Sequence, residues 1–116
     1  MEIGKRIVFP NKNRAMKLPE DTIIAVTTLY DELLQPHAHG NQVALLAKGG
    51  YMLDNWGELE TDLRKLLQQD ATRVRSDANG DYYEINGQLR NLSVKTLWFW
   101  ANEADAPQFV TLLPFS

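Results

Sequence analysis

The sequence predicts an α+β fold: about three N-terminal helices followed by a four-stranded antiparallel β-meander. Three observations predict it. Apolar residues recur at helical spacing up to about residue 69, and the period then falls to two. The second half is cut by turn signals at Asn79-Gly80, Arg90-Asn91 and Ala104-Asp105-Ala106-Pro107. The helical half is cut by Pro36 and Gly49-Gly50.

Each element follows in order. Residues 1–18 read as an N-terminal arm, mixed and basic, with Arg6-Ile7-Val8-Phe9 a short strand stopped by Pro10. Residues 19–116 then form a single α+β domain. Thr27 or Thr28 caps the first helix, and Leu29, Leu33 and Leu34 lie on one face of it. Gly40 opens the second, with Val43, Leu45 and Leu46 apolar. The third spans about residues 55–69. Asn55 and Glu58 form its capping box, Trp56, Leu59, Leu63, Leu66 and Leu67 its apolar face, and Glu60-Arg64 an exposed pair.

Thr72-Arg73-Val74-Arg75 begins the sheet. Tyr83, Ile85 and Leu89 alternate with Glu84, Asn86 and Gln88, as in a half-buried strand. Leu92 to Trp100 and Phe109 to Leu113 are the last two strands. These are apolar on both faces: Val94, Trp98 and Trp100 point one way, Leu97 and Phe99 the other. Helices cover one face. The other needs the arm, the tail around Phe115, or a second subunit, and a homodimer through the C-terminal strands is expected. Trp98-Phe99-Trp100 reads as core, since base stacking requires exposed rings on the outer face.

Composition narrows the function classes. The chain has 116 residues, 44% hydrophobic and 23% charged, enough for one core without disulfides. It has no cysteine, which excludes thiol chemistry. No segment approaches the ~18 apolar residues that span a bilayer, so no membrane partner is expected. Without an export signal, the cytoplasm is the default location. The net charge of -3 argues against a non-specific nucleic-acid binder.

Chemistry concentrates in Gln35-Pro36-His37-Ala38-His39-Gly40, which holds both histidines. Imidazole titrates nearest neutrality, so His37 and His39 are candidate acids or bases. A metal site needs a third ligand, and no spacing ties Asp31, Glu32 or Asp54 to the pair; no metal or cofactor is expected. Arg73, Arg75 and Lys95 alternate with the apolar residues of their strands. Sharing a face, they would form a cationic surface suited to phosphate or RNA. Phosphate-loop and nucleophile-elbow patterns are absent. The carboxylates Glu58, Glu60 and Asp62 read as a solvated helix face.

From about Leu18 to Pro114 the chain resembles a family of small bacterial domains of unknown function. The matching pieces are Leu33-Leu34-Gln35-Pro36, His37-Ala38-His39-Gly40, Gly50-Tyr51, Trp56, Val94-Lys95-Thr96-Leu97-Trp98, and Pro107 to Pro114 with Thr111 inside it. Lys95 stands where the family carries Arg, and Val43 where it carries Lys before Ala. The element order is similar to that of small ribonuclease toxins of the barnase/RelE/EndoU type. That likeness implies a metal-independent ribonuclease in which His37 or His39 is base or acid, Lys95 contacts phosphate and Thr111 donates a hydrogen bond. The competing reading is a non-catalytic protein-interaction module, immunity- or antitoxin-like or homo-oligomeric.

Overall fold

The structure, a computed structural model, describes residues 16–34 and 42–115. The expected strand at Arg6–Phe9 and the histidine loop lie outside these residues. Among the described residues the fold is α+β. Two α-helices, α1 (Gln42–Lys48) and α2 (Trp56–Leu66), precede four strands: β1 (Thr72–Asp77), β2 (Gly80–Leu89), β3 (Leu92–Ala101) and β4 (Gln108–Pro114). The strands form one antiparallel sheet in the order β1-β2-β3-β4.

The expectation of about three helices is corrected to two. The first predicted helix is a short π-helical stretch, Thr28–Leu33. Its closing bond, Leu34 N to Leu29 O at 3.1 Å, spans five residues and turns Leu29, Leu33 and Leu34 all into the core. The preceding Ile23-Ile24-Ala25-Val26-Thr27 is rich in β-branched residues, which disfavour helix. Part of it is claimed by the sheet. Ile23 N donates to Pro107 O and accepts from Phe109 N through its own carbonyl, both at 2.8 Å. Arg64 Nη1 on α2 clamps the same segment, donating to Glu20 O and Thr22 O at 3.2 and 3.0 Å.

The third predicted helix is α2, preceded by a 3-10 turn at Leu53–Asn55. Asn55 does not cap it. Its amide is held by the Gly50-Met52 loop instead, Oδ1 accepting from Met52 N and Nδ2 donating to Gly50 O. Leu59, Leu63 and Leu66 bury the predicted face. Leu66 lies on β2 at Gly87, where a β-carbon would come within 2.6 Å of Leu66 Cδ2. The Glu60–Arg64 pair forms at 3.8 Å, exposed and of small energetic worth.

The hairpin turns fall where predicted. Asp77 Oδ1 accepts from both Asn79 N and Gly80 N, closing the β1–β2 turn. Gly80 has φ +157°, and a β-carbon there would meet Trp100 O at 2.3 Å, so only glycine fits. Arg90 takes φ 58° in the two-residue turn between β2 and β3.

The core lies between the helices and one face of the sheet. Tyr83, Ile85 and Leu89 of β2, Val94, Trp98 and Trp100 of β3, and Phe109 and Leu112 of β4 are buried there. Trp98 meets Phe109 edge-on at 5.1 Å, a favoured aromatic geometry. Its indole N–H donates to Thr96 Oγ1 at 2.8 Å, and Thr96 donates to Ile85 O at 2.8 Å. A fully buried polar chain is thereby satisfied. No helix among the described residues is long and apolar enough to cross a membrane.

Candidate functional site

Two β-bulges decide which side chains reach the outer face of the sheet. In β4, Leu97 pairs with Thr111 but Trp98 with Phe109, so Val110 is the extra residue. Simple alternation would put Phe109 and Thr111 on one face. The bulge turns Phe109 and Leu112 inward and leaves Thr111 outside, opposite Leu97. In β1 the register shifts between Arg73 and Arg75. Arg73 pairs with core-facing Tyr83, whereas Arg75 pairs with outward Tyr82.

The expected cationic face is therefore corrected: Arg73 does not share a side with Arg75 and Lys95. Arg73 lies 3.7 Å from the buried Asp81 carboxylate. Arg75 places its guanidinium 4.0 Å from the Tyr82 ring centre, and Tyr82 lies 4.6 Å from Phe99. Trp98 and Trp100 are core, as expected, while Phe99 is half-buried on the outer face.

The outer face reads as rows across the strands. Tyr82, Phe99 and Gln108 form one. Glu84, Leu97 and Thr111 form the next, and Asn86, Lys95 and Leu113 the third. Of the four predicted site residues, the structure brings Lys95 and Thr111 onto this face of neighbouring strands, offset diagonally by one row. Such diagonal neighbours lie about 7–8 Å apart. Lys95 Nζ is 3.9 Å from Glu84 Oε2, a carboxylate that sequence reasoning took only as a polar alternation. The signal for Glu84 was present in its register, but pairing partners are not readable from one chain.

His37 and His39 lie outside the described residues. Gln42, the first described residue after them, donates its Nε2 to Leu112 O at 3.3 Å, next to Thr111. Among the described residues, no group of three His, Cys, Asp or Glu is placed to hold a metal ion.

A second polar cluster sits on the helical side, where the sequence suggested only a solvated helix face. Arg90 reaches from the β2–β3 turn to the Glu58 carboxylate, donates to Gly49 O at 2.9 Å, and lies 4.3 Å over the Tyr51 ring. The buried Tyr51 donates its hydroxyl to Asp62 Oδ2 at 2.7 Å. Burial, then the bond to Asp62 and its charge, push the Tyr51 phenol well above the ordinary tyrosine range. A cleft of about 480 Å³ opens beside these groups, lined by Asp54, Asn55, Gly57, Glu58, Thr61, Asp62 and Arg90. Its central charges are paired with one another, so the cluster ties the Gly49-Gly50-Tyr51 turn to α2 and to the hairpin tip.

No curated protein and no solved structure matches the chain. The likeness to ribonuclease toxins thus rests on element order alone. A protein-family model, described as a domain of unknown function, matches residues 17–116, a span that contains all of the sequence motifs. By that match the chain belongs to the DUF6883 family.

Proposed function

We propose that this domain is a metal-independent, ribonuclease-like module that engages single-stranded RNA on the outer face of its sheet. One observation carries the reading: Lys95 and Thr111, distant in sequence, share that face on neighbouring strands. A cation and a hydroxyl donor at this separation flank the space of one phosphate. Lys95 holds the phosphate charge, and Thr111 donates to a phosphate oxygen. His37 or His39 supplies a proton-transfer group.

The test uses the purified domain and a labelled single-stranded RNA in the presence of a chelator. The expected result is cleavage leaving 2′,3′-cyclic phosphate ends, with an all-deoxy oligonucleotide left intact. Lys95→Ala and His37→Ala/His39→Ala should each lower the rate by about 100-fold or more. Intact RNA at stoichiometric protein would sink the reading.

A second reading, a non-catalytic interaction module, is favoured by the apolar border of the same face. Ile23, Leu113 and Phe115 are 49%, 48% and 50% exposed along the β4 side. An apolar stretch of this kind, rimmed by polar groups, suits a protein partner. The occupant is a second copy of this chain, docked through the C-terminal strands. Sedimentation at micromolar concentration should then give a dimer that Leu113→Glu dissociates; a monomeric wild type would end this reading.

A further inference from the structure

We infer that Glu84 is the general base of the proposed RNA cleavage. The inference rests on the ribonuclease reading and assigns it a residue that no sequence motif singled out. RNA cleavage through the 2′-hydroxyl needs a proton acceptor beside the cation that holds the phosphate. Glu84 meets that condition on the outer face. It lies in the same cross-strand row as Leu97 and Thr111, with Leu97 between them. Two strand spacings put the Glu84 and Thr111 backbones about 10 Å apart, room for one ribose-phosphate unit. Lys95, one row away, comes within 3.9 Å of the Glu84 carboxylate, so both side chains address the same space. The Glu84 side chain is 21% exposed, open enough for a ligand and held by its strand at the centre of the sheet.

The step balances. The Glu84 carboxylate takes the proton of the 2′-hydroxyl as the 2′-oxygen forms its bond to phosphorus. The bond from phosphorus to the 5′-oxygen breaks, and that oxygen leaves with a proton from the acid assigned under the ribonuclease reading, which solvent then reprotonates. The products are a 2′,3′-cyclic phosphate and a 5′-hydroxyl. Glu84 then returns its proton to solvent. Lys95 faces the charge that builds on the phosphoryl oxygens, which is where a fixed cation contributes most.

The experiment compares wild type, Glu84→Gln and Glu84→Asp on a single-stranded RNA oligonucleotide. Binding is measured in parallel on the same oligonucleotide made uncleavable by 2′-deoxy substitution, and folding is checked by thermal melting. Glu84→Gln is expected to lose about 100-fold or more in kcat while binding the uncleavable strand within a few-fold of wild type. Glu84→Asp keeps a carboxylate and is expected to recover part of the rate. A Glu84→Gln variant that cleaves at the wild-type rate would overturn the role of Glu84 and leave the ribonuclease reading standing. Loss of binding equal to the loss of rate would make Glu84 a binding residue and overturn its role as base. A wild type that binds but never cleaves would remove both readings together.

Discussion

Thr96 is the polar side chain on which the inner face of the sheet depends. It accepts from the Trp98 indole and donates to Ile85 O, and all three residues are fully buried. Thr96→Val keeps the shape and removes both bonds, leaving the indole N–H without its partner. Destabilisation of about 1–3 kcal/mol is expected, read as a lower urea midpoint at unchanged slope. Thr111→Val, on the outer face, should shift stability by less than about 0.5 kcal/mol while lowering RNA cleavage. Tyr51 offers a pH test. Its folded phenol titrates above the unfolded value of about 10, so its contribution is complete below that pH. The contribution is lost as pH rises through the higher folded value. One of the four tyrosines should therefore ionise late in an alkaline absorbance titration. Tyr51→Phe should abolish that late phase and cost about 1–3 kcal/mol at neutral pH, since a bond to a carboxylate is removed. A titration in which Tyr51→Phe still shows the late phase would contradict the assignment.

At the scale of elements, α2 sits close against β2 because Gly87 has no side chain. Gly87→Ala drives a methyl group into Leu66 and should cost about 1–3 kcal/mol through overpacking, with the midpoint of thermal melting as readout. Leu66→Ala in the same chain removes the clashing atoms and should recover part of that loss, the rest remaining because one methyl fills only part of the space the leucine leaves. Much of this level was legible from sequence. Four strands, both tight hairpin turns and the apolar face of α2 fall where period and turn residues put them. The failures have physical causes. The first helix was read from Leu29, Leu33 and Leu34, whose spacing suits a π-helical stretch as well as an α-helix. The β-branched residues before it were available to pair with β4, a partner supplied by the other end of the chain. The bulges at Val74 and Val110 leave no mark in the sequence, because each adds a single residue without Gly or Pro. One of them removed Arg73 from the cationic face; the other kept Thr111 on the outer side. Glu84 and the Arg90 cluster depend on register and on tertiary approach, which no single-chain pattern encodes.

At the scale of the molecule, the two faces of the sheet divide the work. One face is closed by α2 and the π-helical stretch, and the other carries the candidate chemistry. Its outer edges are blunted by contacts from early in the chain, Met16 at Ala71 and Ile23 at Gln108. The Ile23 bridge has a consequence for biosynthesis. Ile23, near the start of the domain, finds its backbone partners at Pro107 and Phe109, where the last strand begins. On the ribosome, the helices and the first hairpin emerge with Phe109 and Leu112 still unmade, so the apolar side of the sheet stays open until translation is nearly finished. A nascent chain stalled before residue 108 should therefore remain protease-sensitive and bound by chaperones. Release of the completed strand should protect it in one step, and stepwise protection instead would show that the two ends fold independently.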